Sequence, residues 1–306
     1  MSSVLIRSFV IMFVLLIVAT ITIRVLSMRS PEKDWSELRQ RVNTWWWIVI
    51  VFVLAISTPK AISLTIFAMI SFLALKEYFT LIPTRRSDQM PLLWAYFAIP
   101  LQYYFVYMEW YSMFLVFIPV YVFLFLPMRM VLIGNNQKFL HSTAILHWGV
   151  MITVFSISHV AYLTVLPDNA LKTGALLVIY LVALTECNDI AQYLWGKSLG
   201  RIKVIPKVSP NKTLEGLVGG IVTTMLLSWL LGDILTPLTG WESLLIGLLI
   251  GVAGFIGDVV MSAVKRDIGV KDSGKLLPGH GGILDRLDSL IYTAPLFFHA
   301  LYYLHY

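Results

Sequence analysis

The stretch that decides the fold runs from Gly247 to Asp288 and reads GLLIGVAGFIGDVVMSAVKRDIGVKDSGKLLPGHGGILDRLD. Its first part is almost entirely apolar, whereas the 27 positions from Ser262 gather basic, acidic, glycine and histidine residues. Polar groups are costly near a bilayer, so this density of them beside an apolar helix indicates a functional site. Lysine and arginine suit phosphate oxygens, carboxylates suit a hard divalent cation, and glycines let backbone N–H groups approach both. The stretch therefore predicts a site for a polyphosphate and its metal ion.

The composition of the whole chain is that of a membrane protein. Of its 306 residues 58% are hydrophobic and 13% are charged, whereas about 25% are charged in a soluble domain. A helix that spans the hydrocarbon core needs about 20 mostly apolar residues. We therefore predict an all-α polytopic membrane protein with about ten transmembrane helices, the second of them short enough to be re-entrant. The predicted segments are 8–25, 45–58, 60–80, 91–107, 111–129, 146–165, 173–194, 216–236, 241–263 and 288–305.

The basic residues support this number of spans. Of the 23 Lys and Arg residues, all except Arg7, Lys60 and Lys172 fall on alternate connections or on the adjoining helix ends. Cytoplasmic loops are enriched in Lys and Arg, so these connections are predicted to face the cytoplasm and both termini to lie outside. The formal charge of +6 is then explained by anionic lipid headgroups, and nucleic acid is not an expected partner. The first apolar segment lacks a small-x-small cleavage site, which favours a retained anchor over a signal peptide.

Two polar loops in the C-terminal half carry the candidate chemistry. The first follows helix seven, where Glu186 and Asp189 sit at the predicted cytoplasmic end. Carboxylates there are costly unless they are paired or bind metal, although capping the helix end is an alternative for both. The loop itself supplies candidate substrate-binding residues, namely Lys197, Arg201, Ser209, Lys212 and Thr213.

The second polar loop begins on helix nine. Asp258, Ser262 and Lys265 are spaced i, i+4, i+7, which places them on one helix face with Asp258 deepest in the membrane. We predict Asp258 to be a metal ligand, because an ion pair with Lys265 would have to reach across two turns. Asp285 would join it in a Mg²⁺ site, although a position favoured by the helix dipole is the alternative. His280 suits Mg²⁺ poorly, so a phosphate hydrogen bond or loop packing is expected.

The residues from Ser262 to Asp288 resemble the signature of phosphatidate cytidylyltransferases, the CDP-diacylglycerol synthases. The pattern S-x-apolar-K-R-x4-K-D-x-G-x2-L-P-x-H-G-G-apolar-x-D-R-x-D is met at every fixed position. The segment from Asp189 to Gly216 is similar to a second block of the family, so the resemblance covers roughly residues 185–290. Gln192 departs from it, because a small residue is expected before the tyrosine.

The resemblance implies transfer of CMP from CTP to phosphatidic acid, with release of pyrophosphate and with Mg²⁺ as cofactor. It implies an integral protein of the bacterial inner membrane, with residues 1–170 as scaffold, residues 171–306 as catalytic region and the polar site at the cytoplasmic ends of the C-terminal helices. The implied metal ligands are Asp258, Asp285 and Asp189, Ser262 joins the substrate-binding residues, and the implied catalytic residues are Lys265, Arg266, Lys271, Asp272, His280 and Arg286.

Three alternatives stay open at this point. A polyprenol kinase would share the nucleotide, an ether-lipid cytidylyltransferase would share the reaction, and a transporter would have no chemistry. Polar residues of a transporter lie near the membrane midplane, whereas here they crowd toward one face. Besides CTP, phosphatidic acid and membrane lipids, the sequence leaves a homodimer open.

Overall fold

The computed structural model describes residues 3–82, 89–134, 137–167 and 173–306. In these residues ten long helices follow one another, with a two-stranded antiparallel hairpin and one short helical turn between the later ones. The hairpin consists of β1 (Lys203–Ile205) and β2 (Ser209–Thr213). The helices are α1 (Ser3–Arg29), α2 (Ser36–Ser57), α3 (Lys60–Leu81), α4 (Gln89–Tyr107), α5 (Tyr111–Leu132), α6 (Phe139–Leu163), α7 (Gly174–Leu199), α8 (Leu214–Leu235), α9 (Gly240–Asp267), the short α10 (Leu284–Leu287) and α11 (Leu290–His305).

The all-α polytopic membrane fold is confirmed. Eight of the described helices are long and apolar enough to cross a membrane, and the other two long ones, α4 and α11, occupy predicted spans. Helices α5 and α6 each contain a π-helical segment, at Phe117–Val122 and Met151–Phe155. Arg85, Arg86 and Lys172, on which part of the charge pattern rests, lie outside the described residues.

The second helix is longer than the sequence predicted. It begins at Ser36 rather than near residue 45, and its 22 residues are enough for a full span. Arg41 Nη2 lies 2.6 Å from Glu37 Oε1, one turn earlier, and such i, i+4 pairs of exposed side chains stabilise a helix. The prediction of a short, re-entrant second helix counted only its apolar residues, and therefore left out this polar first part of the helix.

Two contacts between helix ends mark the opposite ends of the bundle. We call the end that carries residues 200–213 and 268–283 the motif face. On it, Thr44 Oγ1 of α2 donates a hydrogen bond to Pro278 O over 2.7 Å. At the opposite end, Lys60 pairs with Glu109.

Close packing of α7, α8 and α9 brings the two polar loops together. A side chain at Gly247 of α9 would collide with Met225 and Ser228 of α8, so the missing side chain lets the two helices approach. Buried hydroxyls bond across the helices, as Tyr180 of α7 does to Ser228 at 2.6 Å. Because these three helices reach the motif face side by side, the loops that extend from them meet there.

Candidate active site

The hairpin places a lysine side chain against α9. Lys212 Nζ of β2 lies 2.6 Å from Asp258 Oδ2, and the two side chains are 18% and 25% exposed. Ser262 Oγ, one turn further along α9, donates to the other oxygen of Asp258 over 3.3 Å. The first loop and the helix that leads into the second loop therefore form one site. The predicted alternative, in which Asp258 pairs with Lys265, is not what the structure shows.

Gln192 of α7 also binds this lysine. Its Oε1 accepts a hydrogen bond from Lys212 Nζ over 3.1 Å, and the residue is only 4% exposed. The Phe255 ring lies 5.4 Å from the same ammonium group. The residue that departs from the family pattern thus contacts a predicted substrate-binding residue directly.

Asp285 is held by a second lysine and by the glycine turn. Lys265 Nζ of α9 lies 2.7 Å from Asp285 Oδ1, with side chains 13% and 8% exposed. The backbone N–H groups of Ser273 and Gly282 donate to Asp285 Oδ2 over 2.8 and 2.9 Å. Burial alone would raise the pKa of Asp285, but the bonds from Lys265 and Gly282 outweigh it and hold that pKa below its usual value. These contacts therefore favour the ionised form of Asp285.

Two further carboxylates, Asp189 and Asp288, lie near the Asp258 carboxylate of the first pair. Asp258 and Asp189 both repel the charge of Asp288, a residue for which no separate role was predicted. Ser289 Oγ donates to Asp189 Oδ2 over 2.8 Å, whereas the buried Oδ1 of Asp189 has no hydrogen-bond partner. Carboxylate oxygens in this arrangement suit a hard cation such as Mg²⁺.

A metal site is not preassembled in the described part of the chain. No group of three or more His, Cys, Asp or Glu side chains there is gathered closely enough to hold an ion. Of the predicted ligands, Asp258 is paired with Lys212 and Asp285 with Lys265. The unpartnered oxygen of Asp189 fits a cation, and binding by all three would require the two lysines to turn toward another anion.

Most of the remaining predicted residues lie on the motif face. Arg266 donates to Val270 O over 3.1 Å, and Thr213 caps α8 by accepting from Gly216 N. Lys197 lies over the Tyr193 ring at 5.7 Å. Exposed to solvent on this face are Lys197, Arg201, Arg266, Lys271 and Asp272, while Ser209 and Arg286 are half-buried.

His280 packs against α2. Its ring meets the Trp45 ring edge-on, with centroids 5.8 Å apart. Burial, together with the charges of Arg286 and Arg41, lowers the pKa of His280. A neutral imidazole can donate one hydrogen bond and accept one. Its packing on Trp45 corresponds to the loop-packing role that was one of the two expectations for His280.

Glu77 of α3 is a site residue that the sequence analysis missed. It is 9% exposed, and its carboxylate accepts from Ser273 Oγ at 2.5 Å, Ile283 N at 2.9 Å and Leu284 N at 3.0 Å. A lone carboxylate near the end of an apolar segment was the only available signal. Because its partners lie in the other half of the chain, nothing in the local pattern connects it to the glycine turn.

The fold and site together define an integral membrane protein whose lysines, arginines and carboxylates converge at one end of the bundle. Such a set of side chains is suited to phosphate chemistry. The chain belongs to the cytidylyltransferase family, whose model matches residues 39–304. It is therefore a membrane-embedded nucleotidyltransferase, and membership implies CTP and a lipid as its substrates.

Relatives of two kinds resemble the chain. An uncharacterized protein of Escherichia coli, YnbB, is 56% identical over 297 residues, which cover 97% of this chain and 98% of that protein. The phosphatidate cytidylyltransferase of Synechocystis sp. is 45% identical over 135 residues, 44% of this chain and 45% of that protein. That of Bacillus subtilis is 42% identical over 134 residues, 44% and 50% of the two chains. The match thus spans about half the length of these two enzymes.

Proposed function

We propose that the protein transfers the CMP group of CTP to phosphatidic acid, giving CDP-diacylglycerol and pyrophosphate. The observation that carries this is the convergence of Lys212 and Lys265, each on a carboxylate, at the motif face where α7 and α9 end and α8 begins. The similarity to phosphatidate cytidylyltransferases over about half their length supports phosphatidate as the lipid. We place the motif face at the cytoplasmic surface of the inner membrane, where CTP arrives from water and the lipid from the leaflet.

The nucleophile in this reaction needs little activation. A phosphomonoester oxygen of phosphatidate is already ionised at neutral pH, so no strong general base is required. It forms a bond to the α-phosphorus of CTP, and the bond from that phosphorus to the bridging oxygen of the β-phosphate breaks. The barrier is the crowding of negative charge and the need for in-line orientation.

The cationic residues address that barrier. The ammonium groups of Lys212 and Lys265 each contact a carboxylate. Both side chains can turn to bind phosphate oxygens of the bound nucleotide instead. Further phosphate oxygens would be held by three other cationic side chains of the motif face, namely Arg266, Lys271 and Arg286.

Mg²⁺ is the cofactor we propose, with Asp258, Asp285 and Asp189 as its carboxylates and Asp288 beside them. When bound, it neutralises charge on the triphosphate and so favours displacement at phosphorus. The measurement is turnover after chelation with EDTA and after return of Mg²⁺. Full activity in excess chelator would contradict the proposal.

The decisive experiment distinguishes a transferase from a kinase. CTP labelled in the cytosine ring should deliver label to chloroform-extractable product in step with pyrophosphate release, while γ-labelled CTP should leave the lipid unlabelled. Label from the γ position in the lipid, with CDP as co-product, would overturn cytidylyl transfer. Supplying ether-linked phosphatidate alongside the diacyl lipid tests the ether-lipid alternative, and transport without turnover would identify a transporter.

A further inference from the structure

The Glu77 carboxylate and the Asp285 carboxylate are bound by the same two short segments of backbone. Ser273 gives its hydroxyl to Glu77 and its N–H to Asp285. Gly282 N donates to Asp285, and the next two N–H groups, of Ile283 and Leu284, donate to Glu77. One carboxylate therefore lies on each side of the turn, and the turn is fixed between them.

The glycine turn is shaped to receive Glu77. A Cβ atom at Gly282 would lie 2.1 Å from Glu77 Oε1 and 2.4 Å from Ser273 Oγ, so a side chain there is excluded. Gly281 has a φ of +81°, a conformation that glycine adopts without strain. Successive N–H groups in such a turn form a concave anion site, and here Glu77 supplies the anion.

The glycine turn leads directly into the short helix α10. Leu284 and Asp285 begin α10, and Asp285 in turn pairs with Lys265 of α9. Glu77 stands on α3, a helix of the N-terminal half that supplies none of the signature residues. Any displacement of the turn relative to α3 would therefore move Asp285 relative to Lys265.

We propose that Glu77 is a positioning residue, whose carboxylate fixes the turn from Ser273 to Leu284 in the conformation that brings Asp285 to Lys265. It acts through Asp285 and needs no contact with either substrate. The effect on turnover rests on the proposed function, whereas the effect on the turn does not.

The test compares Glu77→Gln with Glu109→Gln. Glutamine keeps the shape of Glu77 but presents an NH₂ group where an N–H group or hydroxyl now donates, which leaves a buried donor without an acceptor. Glu109, paired with Lys60 at the opposite face, is a matched control of the same chemistry. Ser273→Ala removes one donor without changing charge and is the milder variant should Glu77→Gln fail to fold.

Two measurements on purified protein decide the outcome. Residue-resolved hydrogen exchange should accelerate roughly tenfold or more at Ile283 and Leu284 and also at Ser273 and Gly282, whose N–H groups bond to Asp285. The kcat per folded molecule should fall by a similar factor with a higher Mg²⁺ requirement, and Glu109→Gln should change neither.

Several outcomes would overturn the proposal. Faster exchange confined to Ile283 and Leu284, with normal kcat, would make Glu77 a local packing residue. A lower yield of folded protein with unchanged kcat and unchanged Mg²⁺ dependence would show a role in stability alone. If the wild-type protein transfers no CMP, the proposed function fails, but the exchange at Ser273 and Gly282 still decides whether Glu77 fixes the turn.

Discussion

Lys212 of the hairpin and Asp258 of α9 form an ion pair, with Nζ and Oδ2 2.6 Å apart. The pair joins the first polar loop to the helix that leads into the second, because each contributes one charge. It also keeps a cation and an anion ready at one place: a triphosphate would compete for the lysine, and a divalent cation would compete for the carboxylate. Both partners are partly exposed, so ligands can reach them.

Replacement of Lys212 by methionine should reduce kcat by about a hundredfold or more, because the site loses a charge that opposes the developing negative charge on phosphate. The measurement is CMP transfer per folded molecule in detergent. Lys207→Met, at an exposed position of the hairpin turn, is the matched control and should stay near the wild-type rate. Equal activities for the two variants would remove Lys212 from the site.

Asp258→Asn and Asp285→Asn should both abolish most turnover but should differ in stability. Asp285 and Lys265 are 8% and 13% exposed, and removal of one partner from a buried pair costs about 3–5 kcal/mol. The pair of Asp258 with Lys212 is more exposed, so Asp258→Asn should cost less. Thermal unfolding and turnover on the same samples test this; near-normal turnover of either variant at ordinary Mg²⁺ would exclude that residue from the metal site.

Gln192→Met should lower kcat by about tenfold, because it keeps much of the side-chain volume but removes the oxygen that accepts from Lys212. Gln192→Glu is the matched variant, because it keeps an acceptor for the lysine. It should therefore retain more activity than Gln192→Met. Should both variants match the wild type, the hydrogen bond to Lys212 has no part in turnover.

Cysteine labelling should place the two polar loops on one side of the membrane. In a Cys187→Ser background, which removes the chain's one cysteine, Lys203→Cys and Asp272→Cys should react from the cytoplasmic side. Lys172→Cys, outside the described residues, should react from the opposite side, since the charge pattern places α7 between them. Labelling of Lys172→Cys and Lys203→Cys from the same side would mean that α7 does not cross.

The sequence by itself determined the approximate positions of the long helices, apart from the start of α2, and also the family and the residues of the signature. Spans follow from local composition, because about 20 consecutive apolar residues are needed whatever surrounds them. The spacing of Asp258 and Ser262 on one face of α9 follows from helix geometry alone, and the structure confirms it with a hydrogen bond.

Tertiary structure decided which charges meet. The sequence could not show that Asp258 pairs with Lys212 while Lys265 pairs with Asp285, since both pairings depend on how the hairpin and the glycine turn fold back onto α9. Nor could it show Glu77 in the site, because a single carboxylate on α3 reaches the turn only through helix packing. Such contacts join residues far apart in the chain, so no local period or motif spacing records them, and only the packed bundle brings their atoms within hydrogen-bond distance.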